Sequence, residues 1–90
     1  MPKCAYFKIK GIVQGVNLRY DIFQFAQSNK LKGWVKNEID GTVTCCLQNP
    51  AKEVEQFRQW LKYSHSSYIQ EINIKWQEDK QHYKDFMILR

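Results

Sequence analysis

The chain lacks most of the residues that announce a specialised chemistry. Its two histidines, His65 and His82, stand apart from each other and from the three cysteines, and there is no C-x-x-C pair, so no metal-ligand spacing is legible. The cysteine count is odd, and Cys45 and Cys46 are neighbours in a segment that reads as a strand, which points their side chains to opposite faces. No disulfide framework follows, and the thiols read as structural. Prolines are confined to Pro2 and Pro50, and no linker, repeat or low-complexity stretch divides the 90 residues. No apolar run approaches the roughly 18 to 20 residues of a bilayer crossing, and Met1-Pro2-Lys3-Cys4 lacks the apolar core of an export signal. The expectation is one soluble, cytoplasmic domain over residues 1–90.

What is present is the composition of a globule: 43% hydrophobic and 26% charged residues exclude a disordered tail. The net charge of +5 favours anionic partners, but the 14 Lys and Arg are spread along the whole chain as on a solvated surface.

Periodicity supplies the elements. Ala5, Phe7 and Ile9 alternate with Tyr6, Lys8 and Lys10, which predicts a half-buried strand from Cys4 to Lys10 ended by Gly11. Leu18, Ile22, Phe25 and Ala26 fall on one face of a helix from Leu18 to Lys30, with Gly33 beyond as its stop. Gly33 to Asn37 and Thr42 to Leu47 read as a hairpin turned at Asp40-Gly41. Asn49-Pro50 is a capping residue followed by proline at a first helical position, and Val54, Phe57 and Leu61 form the buried stripe of a second helix. Ile72, Ile74 and Trp76 alternate as a fourth strand, and Phe86 to Leu89 offers a short terminal one.

The order is βαββαβ with an extra strand, the split βαβ arrangement, in which two helices cover one face of an antiparallel sheet. The hairpin's second strand then lies between strands one and two, which run parallel. The loop leaving strand one and the residue ending strand two therefore share one edge, roughly 10 Å apart at a strand spacing of about 4.8 Å. An extended arginine spans that gap.

The loop is Gly11-Ile12-Val13-Gln14-Gly15-Val16-Asn17-Leu18-Arg19, opening directly into a helix. The first amides of a helix have no internal acceptor, and their dipole favours an anion, phosphate above all. Gly15 permits a tight bend, and Arg19 adds a planar fork of donors suited to phosphate oxygens. No Gly-Lys-Ser/Thr follows, so this is not a nucleotide P-loop. A glycine ahead of a helix is in most chains a turn, and an arginine in the first turn a surface side chain.

The second segment, Gly33-Trp34-Val35-Lys36-Asn37-Glu38-Ile39-Asp40-Gly41-Thr42-Val43, points further. Together the two stretches resemble the acylphosphatase family, which pairs a Gly-x-Val-Gln-Gly-Val-x-aromatic-Arg loop with a Gly-aromatic-Val-x-Asn-x-x-x-Gly-x-Val hairpin. Gly11, Val13, Gln14, Gly15, Val16 and Arg19 fit the first pattern, and Gly33, Trp34, Val35, Asn37, Gly41 and Val43 the second. The resemblance implies an α+β fold, the ferredoxin-like α/β sandwich, and hydrolysis of acyl phosphates. It implies Arg19 as the phosphate-binding arginine, Asn37 as the residue that positions the attacking water, and the backbone amides of Gln14, Gly15, Val16, Asn17, Leu18 and Arg19 as the phosphate cradle. It implies no metal and no organic cofactor. The partner implied is a small-molecule acyl phosphate, with inorganic phosphate as product and competitor. No nucleic acid or membrane partner is expected, and the protein is expected to be a monomer.

Several residues depart from the family pattern. Leu18 replaces an aromatic, Asn17, Cys45 and Asn49 stand where relatives commonly have glycine or, at 17, an aromatic, and Glu38 carries a negative charge beside Asn37. Strand alternation is expected to turn Glu38 away. The alternative from another class is a non-catalytic nucleic-acid or phosphate-binding module, since this architecture also serves RNA recognition through aromatic residues on an open sheet face. Lys32-Gly33-Trp34-Val35 begins such an aromatic motif, but no second small residue and aromatic follow in order. Tyr6, Trp34, Trp60 and Trp76 sit at spacings that suit core or amphipathic surface. An accessory domain of a larger machine is the third reading.

Overall fold

A computed structural model describes residues 3–15 and 17–89. The elements are β1 (Lys3–Gly11), α1 (Leu18–Ser28), β2 (Gly33–Asn37), β3 (Val43–Leu47), α2 (Ala51–Ser64), β4 (Ile69–Glu78) and β5 (Phe86–Leu89). The strands form one sheet in the order β4-β1-β3-β2-β5, so β3 does lie between β1 and β2. The first four strands pair antiparallel, but β5 pairs parallel with β2, Gly33 to Phe86 through Lys36 to Leu89. The sheet is therefore mixed, not wholly antiparallel. The chain leaves β4 at one edge and crosses back to the other before β5 begins, which fixes the direction of the last strand.

Alternation sorts the faces. Ala5, Phe7 and Ile9 of β1 and Val35 of β2 are buried in one cluster with Leu18, Ile22 and Ala26 of α1 and Val54, Phe57 and Leu61 of α2. Phe57 meets Phe7 edge-on at 5.1 Å between ring centres, and Phe25 stacks on Trp60 at 4.3 Å. Burying one such side chain is worth about 1.5–3 kcal/mol, so this aromatic wedge is a main anchor of the helices on the sheet. Asp21 of α1 and His65 at the end of α2 add a polar tie at 3.1 Å.

Two element ends differ from expectation. The first helix stops at Ser28, before Lys30, because Lys30 enters the left-handed region (φ 55°) and Leu31 N–H bonds back to Ala26 O at 2.9 Å. That reversal buries Leu31 and ends the helix without Gly33. In the second helix Pro50 holds the N-cap position without a side-chain cap, and Asn49, one residue earlier, makes no cap. Its carboxamide oxygen instead accepts from Lys32 N–H at 2.9 Å, tying the entry of the helix to that of β2.

Gly33 has a task of a different kind. Its φ is +143°, and a side-chain carbon there would lie 1.8 Å from Cys46 O. Only glycine lets β2 approach β3 at that register.

Candidate active site

The loop after β1 and the end of β2 meet as the topology requires. Between Gly11 and α1 the chain bends at Gly15 (φ +81°) and again at Asn17 (φ 61°). Asparagine tolerates this left-handed conformation better than most other side chains. Asn17 precedes the first turn of α1 without a side-chain cap, and the first helical bond runs from Asp21 N–H to Asn17 O at 3.0 Å. The opening amides of an 11-residue helix thus have no internal acceptor and face an anion favourably.

A cavity of about 590 Å³ opens at this junction. Gly15, Asn17, Leu18 and Arg19 line it from the loop and helix side, and Asn37 lines it from the end of β2. Val13, Tyr20 and Ile88 complete its wall. Among these described lining residues there is no histidine and no carboxylate. Arg19 is half-buried, and Asn37 carries a carboxamide oxygen that is buried with no hydrogen-bond partner among the described residues. A buried acceptor left unpaired typically costs about 1–3 kcal/mol, so such a group in a cavity wall suits a polar guest.

Gln14 is expected to serve the cradle through its backbone amide; its side chain has a separate task. It is absent from the cavity wall, and its side-chain amide donates to Glu38 O at 2.7 Å and Thr42 O at 2.9 Å. It straps the loop to the hairpin that carries Asn37. Val16 lies outside the described residues. Glu38 is turned to the other face of the sheet, where its carboxylate lies 4.0 Å from Lys36 Nζ. Tyr20 and Ile88 were not singled out by the sequence. The signal for Ile88 was only the alternation of a four-residue strand, and its parallel partner was not legible.

Known proteins resemble the chain along nearly its whole length. The family model described as acylphosphatase matches residues 5–88. An acylphosphatase of Pyrobaculum aerophilum is 37% identical over 87 residues, covering 94% of this chain and 92% of that protein. The crystal structure of acylphosphatase from Bacillus subtilis superposes with a TM-score of 0.88 at 29% identity, covering 98% of this chain and 99% of that one. The whole chain also matches 12% of full-length HypF, at 35% identity and a TM-score of 0.87. With the family model spanning nearly all its residues and a relative of this likeness matched almost end to end, the chain belongs to the acylphosphatase family.

Proposed function

We propose that, in the acyl phosphate hydrolysis to which family membership assigns this chain, Arg19 and the opening amides of α1 hold the phosphoryl group while Asn37 orients the attacking water. The observation that carries this reading is that Arg19, from the first turn of α1, and Asn37, from the end of β2, line one cavity in which the Asn37 carboxamide oxygen is buried and has no partner among the described residues.

An acyl phosphate leaves as a carboxylate, so no strong acid is needed to protonate the leaving group. Positioning and charge stabilisation suffice. The guanidinium and the amides donate hydrogen bonds to the phosphoryl oxygens as charge shifts between those oxygens. The Asn37 oxygen accepts a hydrogen from the water and fixes its lone pair toward phosphorus. The water's proton passes to a phosphate oxygen of the substrate or to solvent, in keeping with a wall that holds no enzyme base among the described residues.

The same proposal includes action as a single domain, as a monomer and in the cytoplasm, with no nucleic acid or membrane partner. Among the described residues no helix is long and apolar enough to cross a membrane. An RNA platform is disfavoured by the open sheet face itself. Tyr6 and Trp34 meet edge-on at 65°, the Tyr6 hydroxyl is bound to Asp79 at 2.6 Å, and Trp34 Nε1 donates to Tyr83 at 3.2 Å. The polar atoms of both rings are thus committed to partners on the β4–β5 crossover.

Purified protein assayed on benzoyl phosphate with a metal chelator present tests the assignment. Arg19→Ala and Asn37→Ala should each lower kcat by about 10²- to 10³-fold while melting normally. Inorganic phosphate should compete with substrate in the wild type and in Asn37→Ala, and compete poorly in Arg19→Ala. Turnover at the wild-type rate in either variant would remove that residue from the mechanism and leave the family's reaction standing.

A further inference from the structure

The face of the sheet opposite the helices holds a second cluster, at the end of β1 remote from the cavity. Strand alternation puts Cys4 on the face of Tyr6, and the register sets Tyr6 opposite Cys46, so the two thiols lie diagonally across β1 and β3. Both are fully buried. The crossover from β4 to β5 folds over the same end of the sheet, held by Gln48 Nε2 to Gln81 O at 2.7 Å and Tyr83 N–H to Gln48 Oε1 at 2.9 Å. It brings Asp79 onto the thiols. Ligand atoms of Cys4, Cys46 and Asp79 lie within 4.8 Å of one another, and Cys4 Sγ is 3.8 Å from Asp79 Oδ2.

We propose that Cys4, Cys46 and Asp79 form a binding site for a borderline-soft divalent cation of the zinc(II) class, which pins the β4–β5 crossover to the sheet. The distances fit. A tetrahedral zinc with bonds of about 2.3 Å to sulfur and 2.0 Å to oxygen holds S···O pairs at about 3.5 Å and S···S pairs at about 3.8 Å. The Cys4–Asp79 pair is already within a few tenths of that spacing. The charges fit as well: two thiolates and one carboxylate bring a dication to −1, and thiolate ligands select zinc over magnesium or calcium. Outer partners are in place. Gln48 Nε2 donates to Cys4 Sγ at 3.4 Å, and Asp79 is oriented by Tyr6 and by Gln81 N–H, at 2.6 and 2.9 Å.

Binding changes no oxidation state. Two S–H bonds give their protons to solvent, two S–metal bonds and one O–metal bond form, and a water fills the fourth position. The metal takes the side of Asp79 Oδ2 to which Tyr83 donates at 3.1 Å, and Tyr6 keeps its own hydrogen bond. The thiols thereby exceed the structural role that the sequence suggested, because pairing register and not spacing along the chain brings them together. Cys4 and Gly11 lie near the two ends of β1, roughly 23 Å apart at about 3.3 Å per residue, so the metal stands away from the catalytic cavity.

The full chain, without an affinity tag, reduced with a phosphine, freed of metal by chelator and desalted, is titrated with cobalt(II). One equivalent should bind with thiolate-to-cobalt charge-transfer absorption, release about two protons, raise the melting temperature and be displaced by zinc(II). Cys4→Ser and Cys46→Ser should each abolish the absorption, and Cys45→Ala, which alters the opposite face, should keep it. Asp79→Asn, on the exposed side of the cluster, should stay folded and weaken binding at least about tenfold. The proposal is overturned if the wild type shows no charge-transfer absorption, or if affinity is indifferent to Asp79→Asn. Hydrolysis of benzoyl phosphate that persists in chelator leaves the two sites independent, as the separation requires.

Discussion

Gln14 shows how a side chain outside the cavity governs it. Its amide group bridges two carbonyls of the hairpin loop, Glu38 O and Thr42 O, and so sets the distance between the phosphate loop and Asn37. A displacement near 1 Å of a positioned group can cost up to about 10²-fold in rate. Gln14→Ala should therefore lower kcat by about 10- to 100-fold with inhibition by inorganic phosphate little changed, since the helix amides and Arg19 stay in place. Gln14→Glu should be worse than alanine, because it presents a carboxylate oxygen to two carbonyl oxygens. Steady-state kinetics with phosphate competition check both. A Gln14→Ala enzyme with the wild-type kcat would show that the strap is dispensable. That Arg19 and Asn37 share one cavity was legible in the sequence, because each sits in a motif whose spacing, with the strand order it implies, is read without coordinates. The strap was not, since glutamine beside a glycine says nothing about which carbonyls its amide reaches until loop and hairpin are placed together.

At the scale of elements, the sheet depends on close approaches that particular residues permit. Gly33 starts β2 with its N–H donating to Asp85 O at 3.1 Å and its α-carbon against the β3 backbone. Gly33→Ala combines a strained φ with a collision against Cys46 O, and should destabilise the fold by about 2–4 kcal/mol. Urea unfolding should show a lower midpoint at an unchanged slope, and a midpoint within error of the wild type would contradict the packing described for β2 and β3. Strands β1, β2 and β3 were readable in advance, because period-two alternation and a turn at Asp40-Gly41 are local signals. The parallel pairing of β5 was not, because nothing in Phe86 to Leu89 encodes its partner; the crossover does. The entry of α2 misled for a related reason: Asn49 is a good capping residue by type, but Lys32 N–H, distant in sequence, claims its oxygen.

Across the whole molecule the two ends of the sheet carry different features, one the cavity lined by Arg19 and Asn37 and the other the thiol and carboxylate cluster, and ionisation bears on the pH range in which the fold between them persists. Hydrogen bonds from the Thr42 hydroxyl and N–H hold Asp40 below its usual carboxylate range, with Lys8 assisting, and the Arg58 guanidinium does the same for Glu55. A carboxyl group with a lowered folded-state pKa stabilises the fold above its unfolded value, about 3.9 for Asp and 4.3 for Glu, and loses that contribution as pH falls through the folded value. Burial pushes the Cys45 thiol well up. Its contribution is complete below the unfolded thiol value of about 8.5 and declines as pH rises from there toward the folded value. Melting temperature measured in chelator and reductant should thus be flat between about pH 5 and 8 and fall on both sides. Asp40 also closes the turn that follows Asn37, so the acid limb should bring loss of activity with it. Asp40→Asn combined with Glu55→Gln should lower the plateau slightly and make the acid limb shallower, and Cys45→Ala should make the alkaline limb shallower. An acid limb of unchanged steepness in the double variant would place the titrating groups elsewhere in the fold.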